Sequence, residues 1–183
     1  MNNILKTLSI LLIALTFFAD ADAKLNLFAQ PRYIPELSYY SDSGKKHKLT
    51  EYKSDLLLAV LWSRFCGPCI GDMKHLQKFA DKTKNKGIKV IIISPDEEWR
   101  SIDERRNFLK KIGAPNLESY TDRKSNFAHG MGIMVTPVAV MVNRNGEEIG
   151  QISGSVEWDD DEVVDYMIKL KNTQYQTIPN KSK

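Results

Sequence analysis

The sequence predicts an α/β protein in which a mixed central sheet is flanked by helices. Residues 56–62 (LLLAVLW) and 88–93 (IKVIII) are continuous apolar runs, which are typical of strands covered on both faces. Between these runs, apolar residues at positions 69–80 recur every three or four residues, as on the buried face of a helix. A strand, a helix and a second strand in this order indicate two parallel strands joined by a crossover helix.

The composition is that of an ordinary globular protein. The 183 residues suit one domain, and 42% of them are hydrophobic while 27% are charged. The 26 basic and 23 acidic residues give a net charge of +3, which is too balanced to indicate nucleic acid or an acidic membrane surface as a partner. Two cysteines are too few for a disulfide-rich scaffold.

The N-terminus has the pattern of a secretory signal peptide. Lys6 supplies a positive charge, residues 8–19 form an apolar run, and Ala21-Asp22-Ala23 is a small-x-small cleavage site. The run is shorter than the about 20 residues of a membrane span. An uncleaved anchor is the alternative, and membrane association is expected only in that case. Either way, the domain is expected outside the cytoplasm.

Turn residues and changes of hydrophobic period divide the remainder of the chain. The further predicted elements are an irregular lead-in (24–35), a β-hairpin (37–49), a helix (101–111), a looser segment (113–132), a second hairpin (137–153) and a last helix capped by Asp159. The predicted organisation is a signal peptide (1–23), one domain (24–175) and a flexible tail (176–183).

Both cysteines lie in one motif, Cys66-Gly67-Pro68-Cys69, at the predicted junction of a strand and a helix. A disulfide that closes so short a loop constrains the unfolded chain little, which favours redox chemistry over a structural bond. Pro68 suits the first helical turn, and Cys66 lies where the helix dipole favours a thiolate. We expect Cys66 to attack a substrate and Cys69 to resolve the mixed disulfide. Half of a zinc site, with two ligands missing, and an inert disulfide are the alternatives.

Residues 62–69 (WSRFCGPC), placed after an apolar strand, resemble the active site of the thioredoxin superfamily. Thr136-Pro137 at the start of a strand resembles the cis-proline region of that fold. The extra central segment, the leading hairpin and the export signal together resemble the periplasmic TlpA/ResA-like thiol-disulfide reductases. The resemblance spans roughly residues 33–171 and implies a thioredoxin-like fold with an N-terminal β-hairpin and a central insertion.

The resemblance also implies roles for individual residues. Pro137 would follow a cis peptide bond and place the Thr136 backbone beside Cys66, free to pair with an extended substrate segment. Trp62 would pack beneath the active site. The residues that the resemblance places in the substrate-binding surface are Trp62, Phe65, Gly67, Pro68, Val135 and Thr136.

Asp72 occupies a position where this subfamily often has glutamate. A carboxylate there could raise the local thiol pKa or carry a proton to and from Cys69; the alternative is an acid that only complements the helix dipole. Thioredoxin has a buried acid where this chain has Val60, which leaves more of the proton transfer to Asp72. Arg64 adds a positive charge that could favour a thiolate or could be solvated.

These features predict an exported, periplasmic enzyme that reduces disulfides in other exported proteins. The Gly67-Pro68 pair resembles thioredoxin, a reducing dithiol at about −270 mV, rather than the strong oxidants near −120 mV. No cofactor beyond the redox-active disulfide and no metal site is expected. The resemblance implies a membrane thiol-disulfide transporter as electron donor and apocytochrome c or copper-site assembly proteins as substrates. The alternatives are a disulfide oxidase or isomerase, and a non-catalytic copper-binding assembly factor that uses His129, Met131 and Met134.

Overall fold

The computed structural model describes residues 23–172, so residues 1–22 of the predicted signal peptide and the whole predicted C-terminal tail lie outside the described residues. The strands are β1 (Lys24–Arg32), β2 (Tyr39–Tyr40), β3 (Lys46–His47), β4 (Leu56–Leu61), β5 (Ile88–Pro95), β6 (Glu118–Asp122), β7 (Val138–Asn143) and β8 (Glu148–Ser153). The helices are α1 (Gly67–Thr83), α2 (Ile102–Lys111), α3 (Asn126–Gly130) and α4 (Asp161–Leu170). None of these helices, within the described part of the chain, has the length and apolar character needed to span a bilayer.

The strands form one mixed sheet in the order β1-β8-β7-β4-β5-β6-β2-β3. β4, β5 and β6 are parallel, and β7 runs antiparallel to β4. At the end of β4, Leu61 pairs with Ile93 on one side and with Val138 on the other. The start of β7 is therefore held beside the end of β4, where the cysteine motif begins.

Alternate residues of β4 point to opposite faces of the sheet, and both sets are buried. Leu58 and Val60 belong to a core shared with α1, α2 and α4. Leu57 and Leu61 belong to a second core, which includes Phe127 of α3 and apolar residues of the N-terminal segment. Packing on both faces explains the continuous apolar run in the sequence and fixes the point from which the chain enters α1.

Two segments expected to be irregular contain strands. Residues 24–35 include β1, which pairs antiparallel with β8. Its apolar pattern is weak because Phe28 alone among its residues is fully buried, as is usual at the edge of a sheet. Residues 113–132 include β6, whose sequence ESYTD lacks the apolar character of the central strands.

Gly150 of β8 permits the close approach of β1, since a Cβ atom there would lie 2.5 Å from the Asn26 carbonyl oxygen.

The predicted hairpin over residues 37–49 is present only as the two-residue strands β2 and β3. The last helix begins one residue later than expected, because its N-cap is Asp160 rather than Asp159. The Asp160 side chain accepts a hydrogen bond of 2.8 Å from the Glu162 backbone N–H. The Asp159 carboxylate instead bonds to His75 of α1 and so ties the two helices together.

Candidate active site

Cys66 follows β4 and is the N-cap residue of α1, as the motif predicts. The helix begins at Gly67, and Pro68 occupies its first turn, where a missing N–H costs nothing. The Cys69 backbone N–H donates a hydrogen bond of 3.2 Å to Cys66 Sγ. The sulfur of Cys66 therefore lies at the positive end of a 17-residue helix.

Cys66 and Cys69 are joined by a disulfide, with their Cα atoms 5.3 Å apart. Cys69 is 1% exposed and belongs to the core beneath α1, whereas Cys66 is partly exposed. A thiol or disulfide from another molecule can therefore reach Cys66 and not Cys69. This asymmetry is what sequential attack and resolution require.

The segment before β7 lies against the Cys66 sulfur. The Thr136–Pro137 peptide bond is cis, as the resemblance implies. The Thr136 carbonyl oxygen lies 3.5 Å from Cys66 Sγ, across 70 residues of sequence. This contact follows from the sheet, because β7 pairs with β4 and brings its leading segment to the same edge. The Thr136 backbone is thus placed next to the reactive sulfur.

Three large apolar side chains next to these segments are exposed to solvent. Phe65 precedes Cys66 and is 80% exposed, while Met134 and Val135 precede Thr136 and are 77% and 73% exposed. We call Phe65, Met134 and Val135 the apolar rim. Exposed apolar side chains grouped in this way mark surfaces that contact other proteins. Met134, which the sequence offered as an adaptable apolar contact near a recognition loop or as a copper ligand, belongs to this rim.

Trp62 does not belong to the substrate-binding surface, which corrects the expectation from the sequence. Its side chain is 0% exposed, so no substrate can contact it. Its ring packs 5.8 Å from the Trp99 ring and 6.3 Å from the Phe108 ring, measured between centroids. Trp62 therefore supports the site from beneath. Met131 is also partly buried, against the second core, which disfavours its use as a copper ligand.

A carboxylate that the sequence did not single out fixes the loop before Cys66. Glu98 accepts hydrogen bonds from the Ser63 hydroxyl at 2.5 Å and from the Arg64 backbone N–H at 2.8 Å. The Arg64 guanidinium donates to Glu104 at 2.9 Å and lies 4.7 Å from the centre of the Trp99 ring. The Arg64 charge is thus paired with Glu104 rather than free in solvent.

Asp72 follows Cys69 by one helical turn and is half-buried. Its carboxylate accepts a hydrogen bond of 3.3 Å from the Val156 backbone N–H. Burial raises the pKa of Asp72 above its ordinary value, although hydrogen bonds from Val156 and Ser155 and the nearby His75 act in the opposite direction. Asp72 is therefore half-buried and bonded to the loop that follows β8, rather than a freely solvated acid at a helix terminus.

A groove with a volume of about 1010 Å³ opens beside Asp72. It lies between α1, the end of α2 and the loop that follows β8. The groove brings solvent to the face of α1 that carries Asp72 and His75. The polar residues that line it include Asp72, Lys74, His75, Lys111, Ser155 and Glu157.

A buried and an accessible sulfur at the start of a helix, beside a cis-proline segment, define a thioredoxin-like thiol-disulfide oxidoreductase. The redoxin family matches residues 30–168, and the chain belongs to that family.

Known relatives agree with this assignment. The chain is 24% identical over 127 residues to the thiol-disulfide oxidoreductase ResA of Bacillus thuringiensis subsp. konkukian, a match that covers 69% of this chain and 70% of the relative. It is 18% identical over 160 residues to ResA of Geobacillus thermodenitrificans, a match that covers 87% of this chain and 90% of the relative.

Solved structures show the same fold. A thiol:disulfide interchange protein from Bacteroides sp. gives a TM-score of 0.63 at 17% identity, over 80% of this chain and 92% of that one. StoA from Bacillus subtilis gives a TM-score of 0.54 at 16% identity, over 72% of this chain and 95% of StoA. The thioredoxin-like fold class predicted from the sequence is confirmed.

Proposed function

We propose that this protein is an exported reductase that acts on disulfide bonds of other exported proteins. The observation that carries the proposal is the asymmetric pair at the start of α1, with Cys66 accessible and Cys69 buried. When the pair is reduced, the Cys69 N–H that now contacts Cys66 Sγ donates to a thiolate and stabilises it. Cys66 is then the better nucleophile at neutral pH.

The reaction proceeds by two exchanges. The Cys66 thiolate attacks one sulfur of the substrate disulfide, and the other substrate sulfur leaves as a thiolate and takes a proton from water. Cys69 then transfers its proton to Asp72 and attacks Cys66 Sγ, which breaks the mixed disulfide. The second substrate sulfur leaves as a thiolate and takes a proton from water. The substrate gains two electrons and two protons, and Cys66 and Cys69 end as the disulfide.

The substrate binds as an extended segment. The Thr136 backbone, 3.5 Å from the reactive sulfur, offers hydrogen-bonding groups to such a segment, as in strand addition. The apolar rim contacts the substrate side chains on either side of its cysteine. Cysteine pairs of apocytochrome c or of copper-site assembly proteins are the proposed substrates, on the basis of the subfamily resemblance.

Each turnover leaves the protein oxidised, so an electron donor must reduce it again. The signal-peptide pattern in residues 1–23 supports a location outside the cytoplasm, where structural disulfides persist. A membrane thiol-disulfide transporter, which carries reducing equivalents across from the cytoplasm, is the proposed donor.

The direction of electron flow is tested by the reduction potential of the Cys66–Cys69 pair. Equilibration with dithiothreitol or glutathione redox buffers is expected to give a value near −270 mV. A value near −120 mV would overturn the proposal in favour of a disulfide oxidase.

The substrates are tested by trapping. Cys69→Ala cannot resolve the mixed disulfide, so it is expected to accumulate covalent complexes with periplasmic proteins that contain cysteine pairs. Cys66→Ala is the matched control and is expected to capture none. Failure of Cys69→Ala to capture any exported protein would contradict the proposed substrate class.

A further inference from the structure

Three titratable side chains form a row along α1 from the core to the solvent. Cys69, Asp72 and His75 are spaced by three residues, so each is a neighbour of the next on the helix surface. Cys69 is 1% exposed, Asp72 is half-buried, and the His75 side chain is 30% exposed. The row connects the buried sulfur to the groove.

Asp159 fixes the orientation of His75. Its Oδ1 lies 2.5 Å from His75 Nδ1, across 84 residues of sequence. Hydrogen bonds from Lys78, at 2.9 Å, and from His75 lower the pKa of Asp159 to about 2, so its carboxyl group is ionised at neutral pH. Because a carboxylate only accepts hydrogen bonds, His75 donates through Nδ1. Nε2 is then the ring nitrogen that can take up and release a proton.

The charged groups that face His75 come from three elements of the fold. Histidine is the side chain that exchanges protons most readily near neutral pH, and His75 is the one histidine among the described residues that line the groove. The surrounding groups are Asp72, Lys74 and Lys78 on α1, Lys111 at the end of α2, and Glu157 and Asp159 between β8 and α4.

We propose that His75, held in place by Asp159, relays protons between Asp72 and the water in the groove. The inference rests on the proposed function, since it concerns the step in which Cys69 resolves the mixed disulfide. In that step the Cys69 proton passes to Asp72, and Asp72 passes it to His75 Nε2, directly or through one water. The imidazolium then loses this proton to water. Meanwhile the Cys69 electron pair forms the bond to Cys66 Sγ, and the bond from Cys66 to the substrate sulfur breaks. The substrate sulfur leaves as a thiolate and takes a proton from water.

The relay addresses a difficulty created by the position of Asp72. Burial raises the pKa of the half-buried Asp72 carboxyl group, so it holds a proton more firmly than an exposed carboxyl group does. A base on the solvent side helps it to release that proton. His75 is the neighbouring group on the solvent side. Asp159 is a positioning residue, because it acts on the reaction only through His75.

The two exchanges can be observed separately with Ellman's reagent, a small aromatic disulfide. Attack by Cys66 releases the first coloured thiolate, and attack by Cys69 on the resulting mixed disulfide releases the second. Stopped-flow absorbance of the fully reduced protein therefore reports both steps, each as a function of pH.

We expect His75→Gln to slow the second phase by about tenfold near neutral pH while the first phase keeps its rate. The pH dependence of the second phase should change shape in this variant, and added imidazole should restore part of the rate. Asp159→Asn should produce a smaller loss of the same kind. His47→Gln is the matched control, because it makes the same substitution at a histidine of β3 that pairs with Glu51 and does not line the groove, and both of its phases should match wild type.

The results separate this inference from the proposed function. If Asp72→Asn slows the second phase but His75→Gln leaves its rate and pH dependence unchanged, the relay is wrong and the proposed function stands. If the wild-type protein releases no second thiolate at all, the dithiol mechanism itself is wrong. Should His75→Gln fail to fold, as judged by circular dichroism, Asp159→Asn decides, and a wild-type pH dependence in that variant overturns the relay.

Discussion

The two sulfurs of the active site have different surroundings. Cys66 is partly exposed and contacts the Thr136 carbonyl. Phe65 precedes Cys66 and Val135 precedes Thr136, and both are exposed members of the apolar rim. Cys69 is buried, and the next residues along its helix face are the polar, half-buried Asp72 and His75. In the proposed mechanism, the Cys66 side of the site meets the substrate polypeptide and the Cys69 side handles protons.

The topology of the sheet produces this division. Cys66 lies in the loop between β4 and α1, where the segment before β7 reaches the same edge of the sheet. Cys69 lies one turn inside α1, so it faces the core, and the residues that follow it approach the loop between β8 and α4. One helical turn is enough to place the two sulfurs in different environments.

The largest expected effect tests the proton-handling side. Asp72→Asn keeps the size of the side chain but removes the group that accepts the Cys69 proton, so resolution by Cys69 should slow by about 10²-fold. Attack by Cys66 should change little. Stopped-flow measurement with a small disulfide separates the two phases. Asp81→Asn, at another acid of α1, is the control, and an equal loss in both phases would remove the distinction between the two sides.

The next effect tests the side that meets the substrate. Phe65→Asp or Val135→Asp places a charge in the apolar rim, which should raise KM for a protein disulfide by about tenfold, or about 1.4 kcal/mol. The rate with a small disulfide should be unaffected, because such a substrate does not cover the rim. Tyr33→Asp changes a side chain that is similarly exposed, at 76%, but lies in neither active-site segment. If Tyr33→Asp raises KM as much, the rim has no specific role.

The parts of this site that the sequence predicted are those encoded by local patterns. The Cys66–Cys69 motif and the helix that follows it depend on neighbouring residues, and the structure places both where the motif indicates. Glu98 and Asp159 act across 34 or more residues of sequence, and no local pattern marks an acid whose partner is so distant. Trp62 packs beneath the site as expected, but its place in the substrate-binding surface was wrong, because a motif reveals which residues are near a site and not which way each side chain points.

The edge strands illustrate the same limit for the fold. β4 and β5 were predicted because burial on both faces produces unbroken apolar runs. β1 and β6 have no such run, since β1 lies at the edge of the sheet and β6 is largely polar in sequence. Both segments form strands because they pair with strands from other parts of the sequence, and a local pattern does not reveal such pairing.

A smaller effect concerns the loop that precedes Cys66. Glu98→Gln weakens the hydrogen bonds from Ser63 and from the Arg64 backbone, which should cost about 1–3 kcal/mol of unfolding free energy. Because this loop places Cys66 for attack, the first phase of the reaction should slow a few-fold. Urea unfolding and stopped-flow rates check both expectations. Glu97→Gln, at the neighbouring acid that accepts from the Lys124 N–H instead, should lower stability without changing either phase.

The smallest effect uses pH to compare two acids on the proton-handling side. Burial raises the pKa of Asp72 in the folded protein, so the folded state binds more protons than the unfolded state between the ordinary value and the raised one. The carboxyl group of Asp72 therefore destabilises the fold as pH rises through this window. Asp72→Asn should be more stable than wild type at pH 7, and the gain should vanish below about pH 4, the ordinary range of an aspartate.

The ionised carboxyl group of Asp159 should have the opposite effect on the stability of the fold. Its pKa is lowered to about 2 by the hydrogen bonds from Lys78 and His75, so it contributes stability above about pH 4 that is lost as pH falls towards 2. Asp159→Asn should therefore be less stable than wild type at pH 7 and approach it in acid. Urea unfolding of the oxidised proteins at pH 3, 5 and 7 measures both variants. If Asp72→Asn also loses stability at pH 7, the carboxylate of Asp72 is a structural anchor rather than a group kept for proton transfer at a cost to the fold.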